Sequence, residues 1–222
     1  NKMSEGCEHC YAENMSRRLC AMGNPKYTNG FALTLHPDSL NEPLKWYKPA
    51  TIFVCSMSDL FHKDVPFEFV DKVMMTIRKT PRHKYQILTK RADRMQEYFS
   101  TRSIPSNVWL GVTVETDKRK SRIDCLRNLP AKVKFLSCEP LLSDLGQMDL
   151  TGINWVIVGG ESGNQARPMQ ESWVLNIKEQ ADAQHIPFFF KQWGTWGADG
   201  IKRNKKVNGK LLQGKVVQQM PK

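Results

Sequence analysis

Cys7-Glu8-His9-Cys10 sets two thiols one short turn apart, close enough for both to ligate one metal centre as thiolates. Gly6, just ahead of them, lets the backbone curl around such a centre. Two thiolates complete neither a zinc site nor an iron–sulfur cubane. The remaining ligands then come from His9, Cys20, Cys55, Cys138 or a cysteine outside this sequence. The plainer reading of the pair is two ordinary buried thiols.

The other residues able to do chemistry follow apolar runs. Ser56-Met57-Ser58-Asp59, Thr89-Lys90-Arg91, Thr113-Val114-Glu115, Ser137-Cys138-Glu139-Pro140, Gly159-Gly160-Glu161-Ser162 and Lys191-Gln192-Trp193 each close a short hydrophobic segment. Helix capping accounts for Ser58 or Asp59. It accounts less well for Glu139, Glu161 and Lys191, so a shared polar mouth is expected. Asp59, Glu115 and Glu139 are the candidate acid/base groups there, while Lys90, Arg91 and Lys191 suit anionic parts of a cofactor or substrate. The Gly159-Gly160 pair would admit a ligand closely, and Glu161 could accept from an ammonium or a ribose hydroxyl. A turn with a capping glutamate is the bland alternative.

Those clusters need elements that bring them together. β-Branched and aromatic runs predict strands at 31–35, 51–55, 85–89, 108–112, 133–137, 155–158 and 188–190. Apolar residues at three- and four-residue spacing predict helices over 11–22, 67–79, 92–99, 118–129 and 172–183. Alternating strands and helices imply βα units and a parallel sheet, whose carboxyl strand ends share one face. The expected fold is α/β, a TIM-type (β/α) barrel. A strand upstream of Asn1 is expected to bring its strands to the eight of that fold. An open doubly wound sheet shares the periodicity.

Composition narrows the classes. A chain of 222 residues, 40% hydrophobic, suits one core rather than two. The longest apolar runs fall far short of the about 20 residues that cross a bilayer. The start lacks an apolar signal stretch, so the cytoplasm is the expected compartment and no membrane is expected as a partner. Six scattered cysteines do not make a disulfide scaffold. A net charge of +11 favours an anionic partner, nucleic acid or a nucleotide-like molecule.

Part of that charge lies in residues 201–222, a basic extension of the barrel at 1–200. Lys202, Arg203, Lys205, Lys206, Lys210, Lys215 and Lys222 occur there without an acidic residue. They read either as solvated surface or as a phosphate-contacting arm. The Asn208-Gly209 dipeptide predicts a tight hairpin within it. Trp193 and Trp196 could stack on a base or plug the rim, and His36 and His62 read as surface or capping residues.

Gly6-Cys7-Glu8-His9-Cys10-Tyr11-Ala12-Glu13 resembles the opening motif of a phage- and bacterium-encoded radical-SAM-like family of three-Cys-motif proteins, whose substrate is undefined. Blocks at 56–62, 88–91, 109–115, 136–142, 159–163 and 190–194 are similar along almost the whole chain. The resemblance implies a [4Fe–4S] cluster on three cysteines, with Cys7 and Cys10 as the second and third, and a free iron site for S-adenosylmethionine. The first ligand, and the first strand, are expected upstream of Asn1. A typical radical-SAM enzyme carries its GGE-like segment after the second strand, whereas Gly159-Gly160-Glu161 follows a late one. The implied activity is generation of a 5′-deoxyadenosyl radical, fed by an electron donor, on nucleic acid or a nucleotide-like substrate. A non-catalytic metal-bearing nucleic-acid-binding module and a metal-independent hydrolase using Asp59, Glu115 and Glu139 are the alternatives.

Overall fold

Apolar spacing along 67–79 places Val70, Val73, Met74 and Ile77 on one helical face, and all four are buried. Burying each such side chain contributes roughly 1.5–3 kcal/mol, well beyond what helix propensity supplies. The structure, a computed structural model, describes residues 2–221, so Lys222 of the basic tail lies outside it. Its first half holds α1 (Tyr11–Ala21), β1 (Thr51–Val54), α2 (Phe67–Lys79), β2 (Lys84–Thr89), α3 (Ala92–Phe99) and β3 (Val108–Thr113). There follow α4 (Ser121–Arg127), β4 (Val133–Cys138), β5 (Trp155–Gly159), α5 (Glu171–Ala183) and β6 (Phe188–Gln192). The C-terminal segment adds α6 (Lys205–Asn208) and the short strands β7 (Leu211–Leu212) and β8 (Lys215–Val216).

The main sheet has six strands in the order β1-β2-β3-β4-β5-β6, every pairing parallel, and it curls into a half-barrel. Strand order equals chain order, which excludes the doubly wound alternative with its reversal of order. Successive residues of a strand face opposite ways. Leu110, Val112, Leu136, Val156, Val158, Phe188 and Phe190 therefore pack against helix residues such as Met74, Met95, Leu126 and Ile177. On the other face Trp109, Phe135 and Trp155 form a separate cluster, with Leu88, Ile157 and Phe189 half-buried against it. The Trp155 ring lies 5.8 Å from Phe135 and 6.1 Å from Trp109.

Two expectations need correction. The run Phe31–Leu35 forms no strand, so the main sheet of the described residues holds six of the seven strands expected within this sequence. Phe31, Leu33 and Leu35 are exposed, and no neighbouring strand accepts the backbone groups of that segment. An alternating pattern does not make a strand without a pairing partner. The second correction concerns the C-terminal hairpin, whose turn falls at Gln213-Gly214 and not at Asn208-Gly209. Both turn residues have positive φ, 48° and 75°, as the tight two-residue hairpin requires.

Beyond the hairpin the chain runs along β6. The Phe190 amide donates to Val217 O at 2.7 Å and the Gln219 amide to Phe188 O at 3.0 Å. Trp155 Nε1 donates to Gln219 O at 2.9 Å, so this segment both covers a sheet edge and closes over the aromatic cluster.

Gly111 lets Phe135 lie across the sheet, because a Cβ there would stand 2.4 Å from two ring carbons. Gly111→Ala should destabilise the protein by about 1–3 kcal/mol through overpacking. Urea denaturation checks this, and an unchanged midpoint would mean that the inner face is loosely packed.

Candidate active site at the strand mouth

Alternation along the strands decides which polar residues meet. Lys90 continues the Leu88 side of β2, Glu115 the Trp109 side of β3, Glu139 the Phe135 side of β4 and Lys191 the Phe189 side of β6. Gly159 and Glu161 continue the Ile157 side of β5. All therefore open on the helix-free face at the carboxyl rim. Arg91 takes the opposite parity, that of Ile87, and points toward the helices.

The cysteine loop is fastened across this rim. A carboxylate of Glu115, fully buried, accepts from Lys90 Nζ and Ser4 Oγ through one oxygen and from Arg122 Nη1 at 2.8 Å through the other. Gly6 sits directly over it, since a Cβ there would fall 2.7 Å from Glu115 Cγ. Arg167 Nη2 donates to Glu5 O at 3.0 Å and to Glu161 Oε1 at 2.7 Å, while its Nη1 reaches Glu8 Oε2 at 2.9 Å. Arg119 holds Glu5 Oε2 at 3.1 Å. Cys10 then caps α1, and Tyr11 donates its hydroxyl to Ser56 O.

This arrangement sets the charge state of the loop. Burial raises the pKa of Cys7, but the Lys90 ammonium and hydrogen bonds at Met3 and Ser4 outweigh it, leaving the thiol below its ordinary value. The thiolate is the form that ligates metals. Burial also pushes Glu115 and Glu161 up, and the cations beside them, Lys90 and Arg122 for the first and Arg167 for the second, hold both below the ordinary carboxylate value. Cys138 lies on the helix side of β4, where burial pushes its thiol strongly up. Among the described residues no group of three or more His, Cys, Asp and Glu converges as a complete metal site.

The predicted residues divide by how many hydrogen-bond partners already hold them. Asp59 accepts from Phe61 N at 2.9 Å, Thr89 Oγ1 at 2.7 Å, Lys90 N at 3.2 Å and Arg91 Nη1 at 3.0 Å. Four donors occupy its lone pairs, so it ties β2 to the loop after β1. Glu115 is equally committed. Glu139 is different: it has only two such partners, Lys191 Nζ at 3.2 Å and Ser137 Oγ at 3.2 Å. Lys191 is itself 55% exposed and Tyr11, beside the pair, 61%. These three form the reachable part of the mouth.

The glycines serve approach within the chain. A Cβ on Gly159 would stand 2.5 Å from Glu139 Oε1, and one on Gly160 would overlap Trp193 O at 1.8 Å. Trp193 is buried, its indole donating to Leu211 O at 2.8 Å, so it is a plug and not a stacking platform. Trp196 donates to Ala166 O at 2.6 Å under Lys202. His62 accepts from Asp64 N at 3.2 Å as a local cap.

A family model for a protein of unknown function, DUF5131, matches residues 1–221. The chain belongs to the DUF5131 family. No curated protein and no solved structure matches it. For a DUF5131 chain the sequence motifs pointed to Cys7, Cys10, Lys90, Glu115, Glu139 and Lys191, but not to Ser4, Arg119, Arg122 or Arg167. Arg167 lies in a loop without periodicity. Tyr11 directly follows the cysteine motif, and that adjacency was its one signal.

Glu115→Gln should cost about 3–5 kcal/mol by leaving Lys90 and Arg122 facing a neutral amide in a buried site. The lowered pKa of both glutamates means that their contribution is present above the unfolded glutamate value of 4.5 and is lost as pH falls through their folded values. Melting curves taken from neutral pH downward should show an acid limb that is flatter in Glu115→Gln. Identical acid limbs would remove Glu115 from this role. Arg167→Ala should release the loop, and alkylation of Cys7 and Cys10 by iodoacetamide should become faster. Unchanged alkylation would mean that the remaining contacts suffice.

Proposed function

We propose that this chain is a cytoplasmic radical S-adenosylmethionine enzyme of the TIM-barrel type, acting on nucleic acid or a nucleotide-like substrate. The observation that carries the proposal is the cysteine loop, pinned over the carboxyl rim of a curled parallel sheet beside the accessible Glu139–Lys191 pair. The donor chemistry fits in part. Cys7, with its acidified thiol, and Cys10 supply two soft ligands on a loop whose Gly6 leaves room for close packing on Glu115. Bound there, a [4Fe–4S] cluster with S-adenosylmethionine would supply one-electron cleavage of the sulfonium and a 5′-deoxyadenosyl radical for hydrogen abstraction, given an electron donor.

The chain's own residues would do the remaining work. Lys90, committed to Glu115, holds positive charge against Cys7 and favours its thiolate. Lys191 presents a cation to a carboxylate or phosphate, and Glu139 offers a carboxylate to an ammonium or hydroxyl. The Tyr11 ring stands beside them as an apolar wall. A hydrolase built on Asp59, Glu115 and Glu139 is disfavoured, because the first two carboxylates are saturated by donors.

Anaerobically reconstituted full-length protein should be brown, absorb broadly near ~400 nm and release 5′-deoxyadenosine with a reductant. Cys7→Ala and Cys10→Ala should abolish both signals and Cys125→Ala neither. Glu139→Gln and Lys191→Met should weaken S-adenosylmethionine or substrate binding while shifting stability by less than about 1 kcal/mol, as expected for a partly exposed pair. Colour that survives loss of Cys7 would sink the ligand assignment. Colour without 5′-deoxyadenosine would leave a metal-bearing binding module.

A further inference from the structure

The rim opposite the cysteine loop carries a different chemistry. The segment Pro43–Lys48 enters β1 at its amino end, where Lys84 N donates to Ala50 O at 2.9 Å. It is rigidly held although it has little regular structure. Arg82 Nε donates to Trp46 O at 2.8 Å, and its Nη2 reaches Leu44 O at 3.2 Å and Pro43 O at 3.4 Å. His83, fully buried, accepts from Ala50 N through Nδ1 at 3.2 Å, which leaves Nε2 to donate to Pro43 O at 3.2 Å. The Trp46 ring stands edge-on to the His83 ring at 6.1 Å.

This frame presents what a soluble fold normally hides. Tyr47 is 90% exposed and Trp46 43%. Lys45 and Lys48 flank them in sequence, and Arg82 borders the same rim; all three are exposed. None pairs with a carboxylate among the described residues, whereas the cations of the mouth are neutralised by Glu115, Glu139 and Glu161. Two presented rings among three cations without an ion-pair partner match a polyanion that carries stackable planar groups. Duplex bases are already stacked on each other, so the complement is single-stranded nucleic acid.

We propose that Trp46 and Tyr47, with Lys45, Lys48 and Arg82, form a binding surface for single-stranded nucleic acid, separate from the mouth. A base stacks on Tyr47, Trp46 supports a neighbouring base, and the lysines and Arg82 meet the phosphates. Because Arg82 and His83 order the loop in advance, little conformational freedom is lost on binding. The surface needs neither cluster nor turnover, so its test stands apart from the radical-enzyme reading.

Fluorescence anisotropy of the full chain, with labelled oligo(dU), oligo(rU) and a duplex of equal length, tests it. Both single strands should bind better than the duplex, and the tighter of the two identifies the preferred sugar. Tyr47→Ala should weaken single-strand binding about tenfold, while Tyr47→Phe retains it. Lys45→Ala with Lys48→Ala should lower the slope of log affinity against log salt by about 1.4. Lys205→Glu with Lys206→Glu, in the basic tail, should leave the Tyr47 dependence intact. Affinity that ignores Tyr47→Ala, or that is lost only with the tail variant, overturns the proposal.

Discussion

The fully buried Glu115 carboxylate is the point on which the mouth depends. One anion there joins Lys90 from the end of β2, Arg122 from α4 and Ser4 from the cysteine loop. Desolvating a carboxylate costs several kcal/mol unless donors surround it. Three donors from three separate elements meet that requirement only when the strand ends, the helix and the loop are all in place. The position of the cysteines is thus set by electrostatics more than by packing, since the loop's residues contribute almost nothing to the hydrophobic core.

Much of the frame was legible because strands and helices leave periodic traces. The helix over 67–79 and the six paired strands follow from burial on one face, and period-two alternation places Lys90, Glu115, Glu139, Glu161 and Lys191 on a common side. Phe31–Leu35 misled because alternation describes side chains, whereas a strand also needs a neighbour for its backbone. The hairpin shifted for a related reason. Asn208 is used by α6 and bonds the carbonyls of Gly194 and Thr195, so the turn moved to Gln213-Gly214.

Residue type revealed candidates but not their availability. Asp59, Glu115 and Glu161 are as polar as Glu139 and Lys191, yet their capacity is spent inside the protein. What separates the two groups is the number of donors that the fold aims at each carboxylate, and those donors, Thr89, Ser4, Arg122 and Arg167, come from elements with no sequence signature in common. The same accounting explains the glycines. Gly159 yields space to Glu139, and Gly160 to the backbone of Trp193, so the pair shapes the mouth from behind.

Charge is therefore distributed by purpose along the sheet axis. At the carboxyl rim Lys90, Arg122 and Arg167 are matched to buried carboxylates, which fixes geometry, while Glu139–Lys191 joins two strand ends as a partly exposed pair. At the amino end of β1, Lys45, Lys48 and Arg82 have no ion-pair partner among the described residues, unlike Arg127 and Lys178 farther along the same rim. Matched charge positions groups at short range, whereas unmatched charge acts over about 8–10 Å at physiological salt.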